Sequence, residues 1–584
     1  MAYDKGLHGL GERIMNAGVA AAAISLIAAT RLAGGQASDL VLTHARIYTV
    51  NLAQPWAEAV AIKDGRFTYV GDATGAKAFV GPGTRQHDAG GRLVLPGLVD
   101  SHTNQGYVAS SADFFLLPQT LDRAALVGAV ASYAKENPKK TLLVGGYWPI
   151  AAFGLDGPRR EDIDRAVSDR PVILFDDSGH SQWLNSAALR AMGIGRDTPD
   201  PVPGLSFFKR DANGEPTGWV KEWSLQPYLA RMGFRRSVNK KELAGFLDYL
   251  VSKGVTMLFD AGNATDDEAV YATIAELEKA GRLPLRYEAC VHVTLPDQLS
   301  GAVARLEELQ RRFGGKRLHL NTVKIHFDGV SEIGTSSVIE PFLDSPKNHG
   351  GTVIGGDRLR DFILELDRKG IDLHLHTVGD AASRTALDAV ETARAAAGGE
   401  LRMRVTLCHL ELLSATDASR FKALGVVAST TPHWNGGYFQ GADRWLGQAR
   451  YDLMYRVQPL LDAGATVTFS SDITDHIEWK TSRADPFLGM QVAHTRQEVE
   501  GGAAAPVRPP VSERLKLEDL VRGYTLNGAY QLRKDKDLGS IEVGKAADLV
   551  LLDKDLFGVG AYDVHTVAPE AVLMEGRVVF GKLR

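Results

Sequence analysis

Cysteine is nearly absent: Cys290 and Cys408 are the only two in 584 residues, far apart and outside any Cys-x-x-Cys spacing. A disulfide framework is thereby excluded. Charge of one sign is missing as well. The 66 Lys and Arg face 71 Asp and Glu for a net charge of -5, and the basic residues are dispersed, so there is no electrostatic footprint for nucleic acid. Long apolar runs are also lacking. The N-terminal stretch Ala17–Ala29 covers about thirteen residues where about 20 are needed to span a bilayer, so the body of the chain is expected to be soluble, without stable membrane insertion. Internal repeats and low-complexity blocks are not seen.

What is present is length and a change of rhythm along it. With 44% hydrophobic and 23% charged residues, the chain is too long for one small core, and one large barrel with a satellite domain accommodates it. Residues 1–37 stand apart: Lys5 and Arg13 precede the apolar run, and small residues lead to Gly35-Gln-Ala37. This reads as a secretory signal peptide and predicts export to the periplasm or medium. The alternative is a cytoplasmic chain with an Ala-rich N-terminal helix. From Asp39 to Leu95 short β-rich runs alternate with turns, with Asp64-Gly65 as a hairpin signal. Gly544–Asp553 and Ala571–Phe580 repeat that style around Glu575-Gly576. Residues 38–96 and 535–584 are therefore expected to fold together as one β-sandwich domain.

Between residues 97 and 534, apolar β-like runs alternate with longer helical stretches, the pattern of parallel strands joined by crossover helices. Val255–Asp260, Leu285–His292, Asn321–Phe327, Asp372–His376, Arg404–His409, Gly425–Thr430 and Thr466–Ser471 mostly end on polar or ionisable residues. The expected fold class is α/β, a (β/α)8 TIM-like barrel, whose active site lies at the C-terminal ends of its strands. The stretch from about residue 106 to 249 exceeds any ordinary βα connection and predicts an inserted α+β subdomain over the barrel mouth.

Histidine nitrogens and carboxylate oxygens suit zinc, and a hydrolytic site needs them around an open position for water. His102, His376, His409 and Asp472 supply those types in barrel order, each at or just past an expected strand end. Lys324 lies in an apolar strand, where it must be paired, neutralised or chemically altered. As a carbamate it would bridge two divalent ions; a salt bridge to Asp328 or Asp472 is the structural alternative. The His102-Thr-Asn104 segment offers Asn104 where a second imidazole would serve better, since a neutral amide oxygen binds zinc less tightly. Strand alternation places His326 on the face of Lys324, where it could compensate.

Pro96–His102, Val323-Lys-Ile-x-x-Asp-Gly329, His376-Thr-Val-Gly-Asp380, Cys408-His409, Ser471-Asp472 and Gly539–Leu549 together resemble the amidohydrolase superfamily, more narrowly its N-substituted formamide deformylase-like branch. Asp177–Ser186 and Gly214–Glu222 resemble that branch's insertion. The resemblance implies a zinc-type hydrolase of amide or N-acyl C–N bonds with one or two ions. His102 and Asn104 would belong to one ion, carboxylated Lys324 would bridge, and His376 and His409 would hold the second. Asp472 would ligate the first ion and carry a proton from water to the leaving nitrogen. His180 would bind the carbonyl oxygen or substrate. His433, Trp183 and His326, with the other aromatics of the mouth, are expected to contact a small, aromatic substrate. A single-metal lyase, isomerase or decarboxylase and a non-catalytic binding barrel are the competing readings. The expected partners are a small-molecule substrate and, as an option, further copies of the chain.

Overall fold

The computed structural model describes residues 37–583 other than 233, 235, 236, 264, 265, 438 and 439. All of the expected signal peptide except Ala37 falls outside them. The barrel is built from Leu98–Thr103 (β1), Val255–Asp260 (β2), Arg286–Val293 (β3), Leu318–Ile325 (β4), Asp372–Thr377 (β5), Val405–His409 (β6), Val427–Thr430 (β7) and Thr466–Phe469 (β8). They lie side by side in chain order, each parallel to the next. β1, β2 and β5 are buried at every position, as parallel strands covered on both faces must be. β4 starts before Asn321 because its N-terminal half pairs with β3 ahead of a register shift at Ala289 and Cys290.

The crossover helices follow from their apolar spacing. In Gly356–Lys369, Leu359, Phe362, Ile363 and Leu366 are buried, a 3, 4, 7 stripe that lies on the sheet. Gly370 then ends the helix at φ 69°, a left-handed C-cap that glycine adopts without strain. The seam between β1 and β8 has no strand ladder. Ser101 Oγ donates to the Phe469 carbonyl at 2.8 Å, Asp472 N to the His102 carbonyl at 2.9 Å and Asn104 N to the Ile473 carbonyl at 3.3 Å.

The two chain ends meet in a β-sandwich. Val94 of Leu93–Pro96 lies beside Ile47 on one side and Leu551 of Leu549–Leu552 on the other, so N- and C-terminal strands share one sheet. Ile47, Val60, Val94, Leu549, Leu551 and Leu573 form its separate core. Asp64-Gly65 and Glu575-Gly576 have positive φ at both positions, the backbone of tight hairpin turns. The insertion between β1 and β2 contains a six-stranded mixed sheet, from Phe115–Leu116 to Pro216–Lys221, with helices Arg123–Glu136, Arg160–Asp164 and Ser186–Met192. Helix Lys240–Ser252 instead buries Leu243, Phe246 and Leu247 in the barrel core, so the inserted unit's own core ends before residue 249. Among the described residues no helix is long and apolar enough to cross a membrane.

Candidate active site

The strand tips deliver the side chains. His102 is the penultimate residue of β1, Lys324 of β4 and His376 of β5; His409 ends β6, and Asp472 follows β8. With Asn104, His326 and His180 of the insertion they line one cavity of about 100 Å³. His326 is the first residue past β4, at the level of the mouth and not in a lower barrel layer.

Two groups of metal-type donors lie next to each other. One nitrogen from each of His180, His326 and His376 lies within 4.8 Å of the others, and so do one nitrogen each from His102 and His409 and the sulfur of Cys408. The His376 and His409 ring centroids are 4.4 Å apart. Carboxylates fix the rings from behind. His376 Nδ1 is 3.0 Å from Asp328 Oδ1, and Asp328 also accepts the N–H groups of Ser337, Val378 and Gly379. His180 Nδ1 is 2.8 Å from Glu222 Oε2, and Thr335 Oγ1 donates to the other Glu222 oxygen at 2.5 Å. A carboxylate on one imidazole nitrogen is how a ligating histidine is oriented, with the opposite nitrogen left for an ion. His409 Nε2 is buried without a hydrogen-bond partner. This donor set fits a divalent ion.

Electrostatics agree with that use. Burial holds His102, His376 and His409 well below the usual imidazole range, and Lys324 and neighbouring imidazoles add to it, so these rings are neutral and able to coordinate. Burial also lowers His326, to about 4, against the pull of Glu222. Burial opposes charge on His180 too, but Glu222 outweighs it and the ring is raised. Both rings share Glu222; the shorter contact to His180, against 3.6 Å from His326 Nε2, explains why the pull succeeds only there. Asp472 is pushed up to about 6 by burial, with Lys324 and Asn104 pulling the other way.

Asn104 Nδ2 donates to Asp472 Oδ1 at 2.7 Å, and that carboxylate reaches His102 Nε2 at 3.4 Å and His409 Nδ1 at 3.3 Å. His374 Nε2 lies 3.0 Å from His102 Nδ1 and supports that ring from within the barrel. Lys324 is buried, with its Nζ 3.1 Å from Cys408 Sγ. The alternative salt bridge to Asp328 or Asp472 is not formed; those carboxylates pair with His376, His102 and His409. Three of the site residues sit at positive φ, Glu222 at 53°, His409 at 74° and Asp472 at 44°. Such left-handed backbone costs a non-glycine residue about 1–3 kcal/mol and concentrates at functional sites.

Two expected contacts are corrected. Trp183 is fully buried in the insertion's core, edge-on to Trp148 and Phe153, with its indole N–H on the Arg159 carbonyl; the sheet's inner face claims it. His433 lies behind Trp434, 5.9 Å between rings, beside Ser470 and Tyr524 and away from the main cavity. The aromatic lining is instead Tyr107, Tyr147, Phe175, Trp223 and Trp434. Sequence reasoning gave no site role to Glu222, Glu332, Glu411 and His292, all at or beside the cavity. Glu222 ends one of the insertion motifs, the one signal that could have marked it.

A sequence model of the amidohydrolase family matches residues 86–580. Protein LONG AFTER FAR-RED 3 of Arabidopsis thaliana is 28% identical over 91% of this chain and 90% of its own length. The N-substituted formamide deformylase of Arthrobacter pascens is 26% identical over 89% of this chain and 94% of its own. The crystal structure of an uncharacterized metal-dependent hydrolase from Pyrococcus furiosus superposes with a TM-score of 0.62 at 25% identity, over 89% of this chain and 99% of that one.

Proposed function

Because the chain belongs to the amidohydrolase family, a group of metal-dependent hydrolases, we propose that it hydrolyses the C–N bond of an amide or N-acyl group in a small molecule with an aromatic or apolar portion. The observation that carries this reading is the convergence of His102, His180, His326, His376, His409 and Asp472 on one aromatic-lined cavity at the strand tips. The similarity to N-substituted formamide deformylase supports the bond type.

His180, His326 and His376 would hold one divalent ion, and His102, His409 and Asp472 a second, with Lys324, carboxylated, between them. Imidazole-rich donors favour zinc among the common hydrolytic ions. When bound, the ion supplies a Lewis acid that polarises a carbonyl and acidifies water. The protein's own residues do the rest. Asp472, held in place by Asn104, accepts the proton of the attacking water as the new C–O bond forms, then passes it to nitrogen as the C–N bond breaks. Glu222 and Asp328 keep His180 and His376 in their orientations. Trp223 and Trp434 limit water at the mouth. His326 completes a group of three imidazoles separate from that of His102 and His409, which weighs against the single-metal lyase reading.

The test joins metal content with turnover. Protein purified without chelators is expected to carry one to two zinc ions per chain by elemental mass spectrometry, as two donor groups imply. It is further expected to release amine from members of an N-acyl arylalkylamine panel, with activity lost on chelation and restored by zinc. Metal-loaded protein inert across formyl, acetyl and longer acyl amides would overturn the assignment.

A further inference from the structure

Away from the imidazoles the cavity wall carries two carboxyls, Glu332 and Glu411. Each is 3% exposed, and Glu332 Oε1 and Glu411 Oε2 have no hydrogen-bond partner. Glu332 comes from the single turn Ser331–Ile333 after β4, and Glu411 lies two residues past β6. Neither is ion-paired among the described residues. The charged and titratable groups that face them are committed elsewhere or lie at longer range. Arg508 stands over the rings of Tyr451 and Tyr455 at 4.3 and 5.2 Å and donates to the Tyr451 carbonyl. Tyr455 faces Glu411, and Lys324 is directed to Cys408. Asp176, Asp177 and His180 lie on the Glu332 side, where Arg444 shares a small pocket with Glu332 but donates to the Phe153 carbonyl, and Asp328 lies on the Glu411 side.

Carboxyls buried on a cavity wall are held as carboxylates only by a counter-charge, so an occupant that supplies one fits this pair. A bare hard cation such as calcium or magnesium would need about six or more oxygens around it. Here the neighbouring lining is Val330, Val378, Tyr147, Phe175 and Trp434. Apolar side chains and aromatic faces suit an organic cation, which aromatic quadrupoles attract.

We propose that Glu332 and Glu411 form a subsite for an organic cation, so that the substrate carries a positively charged amino or guanidino group at a distance from the bond that is cleaved. The cation subsite stands on the carboxyl pair; only the cleaved bond rests on the amide-hydrolase reading.

The probes are 2-phenylethylammonium chloride and its neutral counterpart 2-phenylethanol, titrated calorimetrically into the metal-loaded full-length protein at constant ionic strength. Neither has a bond to hydrolyse, so binding is read without turnover, and an inactive amide panel leaves this result intact. The ammonium is expected to bind about tenfold or more tightly than the alcohol, and the E332Q/E411Q double variant to bind both alike. Equal affinity of the two probes for the unaltered protein overturns the proposal, and that comparison needs no variant to fold. A preference that survives in E332Q/E411Q overturns it as well.

Discussion

Asn104 and Asp472 are joined side chain to side chain across the barrel seam, Nδ2 to Oδ1 at 2.7 Å. An amide that gives its N–H to this carboxylate orients it but adds little as a donor to a cation. Asn104→His would exchange that bond for an imidazole beside His102. Metal content is expected to rise by about one ion per chain where the native site is underfilled, counted by elemental mass spectrometry. An unchanged count would show that position 104 is not where cation affinity is lost.

Asp472→Asn keeps the shape of the side chain and removes its ability to take a proton. Turnover on a responsive amide is expected to fall about 10²–10⁴-fold, the usual worth of a positioned acid–base group. Metal content should stay within one ion of the parent's, because the His180, His326 and His376 group is untouched. Undiminished turnover would remove Asp472 from the proton path.

Glu222 touches both His180 and His326. Glu222→Gln is expected to weaken metal binding about 10–100-fold, as loss of an orienting carboxylate does elsewhere. Competition against a zinc chelator, with circular dichroism to confirm the fold, reads this directly. Affinity equal to the parent's would mean that the His180, His326 and His376 group does not hold the ion.

Lys221 is buried, its ammonium donating to the Ile333 carbonyl at 2.7 Å and lying over Trp219 and Trp445 at 4.2 and 4.6 Å. Burial, then the charge of Lys209, brings it down to about 7 from 10.5. The unfolded chain therefore binds more protons between those values, so stability rises with pH across that window and the penalty is complete below it. Lys221→Met removes the penalty. Its Tm relative to the parent is expected to be higher at about pH 6 than at about pH 9.5. A pH-independent difference would mean that the indole faces and the carbonyl hold the ammonium charged.

Much of the framework was readable because parallel strands announce themselves as apolar runs ending in a polar residue. Val255–Asp260 is such a case, observed with the bounds expected. His102, His376, His409 and Asp472 converge for the same reason, each fixed to a strand tip. Glu222, Glu332 and Glu411 were not readable as site residues. They sit on turns, where no period tells which way a side chain points, and an acidic residue in a turn is usually solvated. The directions of Trp183 and His433 depend on which core claims them, a matter of how the insertion and the β7 loop pack and not of local pattern.

The open seam between β1 and β8 gives the protein a particular order of birth. Asn104 and Asp472 are 368 residues apart in the chain, so a ribosome working at about 5–20 residues per second needs roughly 20–70 seconds to supply the second after the first. Throughout that interval the cavity lacks the carboxylate proposed to carry its proton, and the barrel its last stave. The arrival of the final strand and of Asp472 closes the wall and completes the donor set of the cavity in one event.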